Sequence, residues 1–180
     1  MRNPLLVISL VLLLCFAFGC QNKAEKAELE KFRAQAKLEE QTREFVKHAF
    51  EELNKGNVEI LNELGAPEYL LYSPSTNPKP MSREETLAFG KSLFKAFPDL
   101  NWRIEKVFVD GDTAVIWNVY TATHQGEFAG IPATGNKIEV SSILLWKLKD
   151  GKVVEEREEA DMLGLMMQLG MELKPKEVKK

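Results

Sequence analysis

The sequence predicts an α+β domain, with helices first and a mostly antiparallel sheet after them. Three observations carry that prediction. Between positions 42 and 97 apolar residues recur at helical spacing, and from position 101 they recur at every second residue. Two Asp-Gly pairs, Asp110-Gly111 and Asp150-Gly151, fall between alternating runs, where tight hairpins belong. A block of helices followed by a block of strands defines this class, whereas strict alternation of the two would give a parallel sheet.

The elements follow in order. The segment TREFVKHAFEELN puts Phe45, Val46, Ala49, Phe50 and Leu53 on one helical face. Gly56 stops this helix, and Asn57 is placed to cap a short helix VEILNEL. The run PEYLLYSPSTNPKP, with four prolines, reads as an extended entry and then a loop. Ser82 and Glu85 form a capping box for SREETLAFGKSLFKAF, which Pro98 ends. NWRIEKVFV, TAVIWNVYTATHQ, KIEVSSILLWKLK and KVVEEREEADM read as four strands. The third link, GEFAGIPATGN, is longer and is punctuated by Gly130, Pro132 and Gly135. MLGLMMQLGMEL reads as a closing helix before a basic tail. A curved sheet wrapped on the helices would enclose a pocket.

Composition removes several function classes. The 180 residues hold 24 Lys+Arg against 27 Asp+Glu, a net charge of −3 that gives no basic face for nucleic acid. Two cysteines cannot build a disulfide scaffold or a four-thiolate zinc site, and two histidines leave little for a His-rich metal centre. A hydrophobic share of 44% is ample for a core. No metal and no cofactor are expected.

Part of that share lies outside the domain. Residues 5–18, LLVISLVLLLCFAF, carry no charge and follow Arg2. The run is shorter than the roughly 20 residues of a membrane span and has the form of a signal-peptide core. Ala17-Phe18-Gly19-Cys20 resembles the end of a bacterial lipoprotein signal, in which the cysteine is lipidated and becomes the new N-terminus. An ordinary signal peptide or an uncleaved anchor are the alternatives. The expected division is a signal over 1–19, a charged helical tether over 20–41, the domain over 42–173 and a basic tail over 174–180. Lipid on Cys20 would tether the chain in the bacterial cell envelope, and Gln21 after it points to the outer membrane or cell surface.

The strings THQGEFAGIPATGNKIEV and DGKVVEEREEADMLGLMMQLG resemble the SnoaL-like polyketide cyclases, also called ester cyclases, of the NTF2-like superfamily. LNKGNVEILNEL, APEYLLYSP and AFPDLNWRIE fit the same pattern upstream, so the resemblance runs from about Phe45 to Gly170. It implies an NTF2-like cone, in which a strongly curved sheet and N-terminal helices surround an apolar cavity. It also implies a small hydrophobic or polyketide-like ligand, a cofactor-free aldol-type cyclisation, and the homodimers common in the superfamily. The family aspartate in D-x-L-G-L falls on Asp161, as general acid/base.

Asp161 has two readings: an acid/base group among Met162, Leu163 and Leu165, or an N-cap for the following helix. His124, at a strand end, either assists Asp161 by donating to a ligand oxygen or is satisfied by backbone. Tyr72 stands where the family has a histidine, and Arg157 where it has tryptophan. With Trp117, Phe128 and Ile131 they make up the expected ligand-binding set. Strand alternation puts Arg157, Glu159 and Asp161 on one face. Two functions are thus expected: an acid/base enzyme using Asp161 and His124, or an envelope-associated binding or dimerisation module without catalysis.

Overall fold

The computed structural model describes residues 4–75, 77–172 and 174, with side chains from residue 23 onward. The expected signal over 1–19 and the lipidated Cys20 therefore lie outside the described side chains, as does all of the basic tail except Lys174. Two compact units are present, Met1–Glu40 and Gln41–Lys180. The first is helical from Pro4, and its described side chains are almost all solvent-exposed, Leu29, Phe32 and Leu38 among them. Among the described residues no helix is long and apolar enough to cross a membrane.

The second unit begins within helix α1 (Pro4–Asn54). Its last turns bury Val46, Ala49 and Phe50, the face expected from the apolar spacing. A 3₁₀ turn (Val58–Ile60) runs into the single-turn helix α2 (Leu61–Leu64). Asn57 precedes it without capping it, because its side chain donates to Glu52 instead. Strand β1 (Gly65–Ser73) pairs antiparallel with β2 (Asn77–Ser82). The segment expected to be a loop thus supplies a sixth strand. Its Pro78 and Pro80 are tolerated because β2 is an edge strand and needs donors on one side only.

Helix α3 (Arg83–Ala96) opens with the full capping box: Glu85 N–H donates to Ser82 Oγ at 3.3 Å, and Ser82 N–H donates to Glu85 Oε2 at 2.7 Å. Strands β3 (Asn101–Asp110), β4 (Thr113–Thr123), β5 (Lys137–Lys149) and β6 (Lys152–Ala160) follow. Asp150 and Gly151, both at positive φ, turn β5 into β6. Between β3 and β4 the turn residues are Gly111 and Asp112, one step beyond the expected pair, because Asp110 pairs with Thr113. Helix α4 (Met162–Gln168) closes the unit and is shorter than expected, ending before Gly170 at φ 92°.

The strand order is β2-β1-β6-β5-β4-β3, antiparallel except where β1 and β6 run parallel. This overturns the expected cone. The sheet is open rather than curved shut, with β2 and β3 as separate edges that do not meet. The edges resist closure for physical reasons: the prolines of β2 remove donors, and β3 carries exposed charge at Arg103, Glu105 and Lys106. One face is packed, by Ala114, Ile116, Asn118, Leu144 and Trp146. On the other face Phe108, Trp117 and Ile143 remain exposed.

Candidate functional site

The packed face does not fill completely. A cavity of about 150 Å³ remains between the sheet, the end of α1, α3 and α4. Its apolar wall includes Phe50, Phe89, Phe94, Phe97 and Trp102, with Phe128 from the loop after β4. This lining follows from the sequence pattern: α3 turns Phe89 and Leu93 inward at helical spacing, its C-cap Phe97 joins them, and β3 and β4 contribute Trp102 and Tyr120 as a cross-strand pair.

Into this wall β6 projects two carboxylates, Glu156 and Glu158, two residues apart and therefore on one face. Both are half-buried and line the cavity. Tyr69 donates to Glu156 Oε2 at 2.5 Å from the neighbouring β1. Burial pushes the Glu156 carboxyl up, and this hydrogen bond offsets part of the rise. Glu158 is pushed up to about 7, first by burial and then by the nearby Glu156, while Ser73 partly restrains it through a hydrogen bond. Burial, followed by the charge of Glu156, also raises the Tyr69 phenol well above its usual range. Tyr120 is raised by burial, then by Glu158 and Asp161.

Two further polar groups belong to this wall. Trp146 Nε1 and Thr86 Oγ1 are buried and meet no protein hydrogen-bond partner. They lie near enough to Glu156 and Tyr69, respectively, to favour the charged forms of those groups, yet complete no hydrogen bond with them.

The residues expected from the sequence are mostly elsewhere. Asp161 is exposed at the β6–α4 junction, where it accepts from Gly164 N–H at 2.8 Å as the N-cap of α4. It does not line the cavity, and it is not brought together with His124. His124 is fully buried and stacks on Phe97 at 5.2 Å. Its Nδ1 accepts from Thr134 N–H at 3.2 Å, which assigns the proton to Nε2, and Nε2 has no protein partner. With His124 N–H donating to Asn136 and Gly135 N–H donating to His124, the residue fastens the base of the 125–135 loop.

Trp117 points to the opposite sheet face, 47% exposed, and donates to Ser141. Tyr72 and Arg157 share that outer face, where the guanidinium stacks over the ring at 4.5 Å and also pairs with Glu155. Ile131 packs beside the cavity residues through its bridge to Phe128 but is not in the lining. Of the expected set, Phe128 alone lines the cavity, edge-on to Phe97 at 5.3 Å.

Sequence reasoning missed Glu156, Glu158, Tyr69 and Thr86. Alternation in EEREEA sets Glu156 and Glu158 on the face opposite Arg157 and Glu159, but which of the two faces is inner depends on a register shift early in β6. Among the described residues no cluster of three or more His, Cys, Asp or Glu side chains is placed to hold a metal.

An open mixed sheet, covering helices and an aromatic cavity with acidic groups on its floor define an α+β small-molecule pocket. Residues 41–169 match the SnoaL-like polyketide cyclase family, and the chain belongs to that family. It is similar to a protein described as a SnoaL-like polyketide cyclase from Jannaschia sp. CCS1, at 30% identity and TM-score 0.68, covering 76% of this chain and 96% of that one. It is also similar to IdmH, a protein described as a polyketide cyclase from Streptomyces antibioticus, at 28% identity and TM-score 0.64, covering 72% and 98%. AclR from Streptomyces galilaeus, described as a hydroxylase, matches at 26% identity and TM-score 0.64, covering 76% and 97%. Proteins that share this fold are thus described by different chemistries. No curated protein matches the chain significantly.

Proposed function

We propose that the chain binds a small hydrophobic molecule in this cavity and transfers protons to and from it without a cofactor, with Glu158 as general acid/base. The observation that carries the reading is the pair Glu156 and Glu158 on the inner face of β6, inside an aromatic wall that holds no basic side chain. A carboxyl near 7 exists in both forms at neutral pH, which suits a group that must take a proton and return it. In the step itself a C–H bond beside a carbonyl breaks and its proton forms an O–H bond on Glu158. The electron pair moves into the carbonyl to give an enolate, which forms a C–C bond to a second carbonyl carbon in an aldol-type closure. The oxygen of that second carbonyl keeps the displaced π pair and then takes the proton from Glu158, which returns to the carboxylate. Glu156, kept toward its neutral form by burial, can donate a hydrogen bond to the developing oxyanion. Asp161 and His124 take supporting roles in this scheme, the first by capping α4, whose Met162 and Leu165 line the cavity, and the second by fixing the loop that carries Phe128.

The test is α-proton exchange into D₂O for a panel of one- to three-ring ketones. Glu158→Gln should slow exchange by about 100-fold or more. Exchange that survives the substitution within about threefold removes Glu158 from the role.

A second reading, a dimerisation module, is favoured by the uncovered sheet face. There Phe108, Trp117 and Ile143 are 57%, 47% and 53% exposed, and a second copy would bury them. Sedimentation of the native chain and of Trp117→Ser decides it, since a dimer through this face weakens with the substitution. The envelope location enters on the sequence alone: lipid on Cys20 predicts that Cys20→Ala moves the chain from the membrane to the soluble fraction of its host.

A further inference from the structure

The polar groups of the cavity wall specify the ligand more narrowly than its aromatic lining does. Glu156 and Glu158 are the charged lining residues, with no Lys, Arg or His beside them. An anionic ligand would have to sit against two buried carboxyl groups with no counter-charge, which is costly. A cation would suit the carboxylates and the rings, but it leaves another group unserved. Trp146 is 4% exposed and Thr86 is 7% exposed, and neither Trp146 Nε1 nor Thr86 Oγ1 has a protein partner. An indole N–H can only donate, so what satisfies it must present an acceptor. An ammonium group presents none.

Size restricts the ligand further. A volume of about 150 Å³ is well below the roughly 300–1,000 Å³ of most ligand pockets. Apolar cavities of about that volume take up a benzene-sized molecule. A fused three-ring system would have to displace close-packed side chains of α3 or the sheet, which protein interiors resist.

We infer that the cavity takes an uncharged molecule of single-ring size bearing at least one carbonyl group, one such oxygen accepting from Trp146 Nε1–H and Thr86 Oγ1–H while the ring lies among Phe89, Phe94 and Trp102. This rests on the acid/base reading and deepens it, because the same carbonyl acidifies the neighbouring C–H that Glu158 would take. Trp146 and Glu156 are cross-strand partners, and Glu158 is the next inward position on β6. Oxygen recognition and proton transfer therefore fall at successive positions of one strand.

Five probes separate the alternatives on the full-length chain: acetophenone, ethylbenzene, benzoate, 1-phenylethylammonium and 2-acetylanthracene. Calorimetric titration should show acetophenone binding at least about tenfold tighter than each of the other four. Thr86→Val, close to isosteric, should weaken acetophenone about five- to tenfold and leave ethylbenzene unchanged. Trp146→Phe should do the same. Because Trp146 is a core residue, Thr86→Val carries the test if that variant fails to fold. Tighter binding of 2-acetylanthracene or 1-phenylethylammonium overturns the proposal, as does equal weakening of ethylbenzene by Thr86→Val. Exchange into D₂O separates this inference from the reading beneath it. If acetophenone binds as described but shows no Glu158-dependent exchange, the acid/base reading fails and the ligand class stands. If only 2-acetylanthracene exchanges in a Glu158-dependent way, the ligand class fails and the acid/base reading stands.

Discussion

Glu158, near the end of β6, and Asp161, just beyond it, lie three residues apart, and each has a carboxylate that the sequence offers for chemistry. Glu158 faces an aromatic cavity, accepts from Ser73 and is pushed up to about 7 by burial and by Glu156. Asp161 is exposed and spends one oxygen on the backbone N–H of Gly164. Desolvation makes a carboxyl into an acid/base group near neutral pH, whereas a capping contact in water makes it a structural acceptor. On the proposed reading, the acidic residue inside the more recognisable motif seats a helix, and its neighbour on β6 faces the cavity. What separates them is that Glu158 leaves the inner face of β6, whereas Asp161 lies past the strand and turns to the first turn of α4.

The strongest way to break the comparison is kinetic. Glu158→Gln is expected to cost about 100-fold or more in α-proton exchange, as loss of a general base does, while Asp161→Asn changes it less than about threefold. The reverse ranking would return the acid/base role to Asp161.

A stability measurement sharpens the same contrast. Between its ordinary value of 4.5 and about 7, the folded chain keeps a proton on Glu158 that the unfolded chain has released. The folded state binds more protons in that window, so stability falls as pH rises through it. A shift of this size is worth about 3 kcal/mol, which Glu158→Gln should recover above pH 7 and not below the window. Asp99 acts in the opposite sense at lower pH. Its carboxyl is held down by the Thr123 hydroxyl and N–H, so its contribution is lost as pH falls below the ordinary aspartate range. Denaturant midpoints for both chains across pH 4 to 9 give the comparison, and parallel curves would show that Glu158 is not desolvated.

Tyr69 carries a smaller effect. Tyr69→Phe leaves Glu156 buried without its 2.5 Å donor, at a cost of about 1–3 kcal/mol. Urea unfolding at pH 7 reads it, and a loss under about 0.5 kcal/mol would mean that the bond contributes nothing net.

The helices and hairpins were legible because their signals are local. Ser82 and Glu85 sit three residues apart whatever the rest of the chain does, and Asp150-Gly151 suits positive φ by itself. β2 was hidden by Pro78 and Pro80, which argue against a strand unless it is an edge, and edge position is a property of the whole sheet. Closure into a cone was likewise beyond local signals, since it depends on whether β2 and β3 meet. The facing of β6 was obscured by a bulge. Leu148 pairs with Val153 and Lys147 with Glu155, so Val154 is an extra residue on β6. Counting by twos from the buried Val153 would turn Glu155 and Arg157 inward, whereas past the bulge it is Glu156 and Glu158 that face the cavity. Tyr69 and Thr86 were illegible for another reason: they meet Glu156 and the cavity only through the parallel β1–β6 pairing and the packing of α3 on it.

The smallest effect concerns the D-x-L-G-L string itself. Asp161 caps α4, and a Cβ at Gly164 would collide with the Asp161 carboxylate as it is placed in the cap, so a side chain at 164 would push the carboxylate out of this position. Asp161→Ala should therefore cost about 1 kcal/mol of stability, with Asp161→Asn recovering most of it, because both Asp and Asn cap well. Gly164→Ala should match Asp161→Ala, and the two together should cost little more than either alone, since each removes the same contact. Thermal unfolding of the four chains measures this coupling. If Asp161→Asn instead loses stability like Ala while exchange collapses, the carboxylate is needed for its charge and the cap does not explain the motif. If the four chains follow the capping pattern with exchange intact, the aspartate and glycine of this string serve to seat α4, and through Met162 and Leu165 to close the cavity over Glu158.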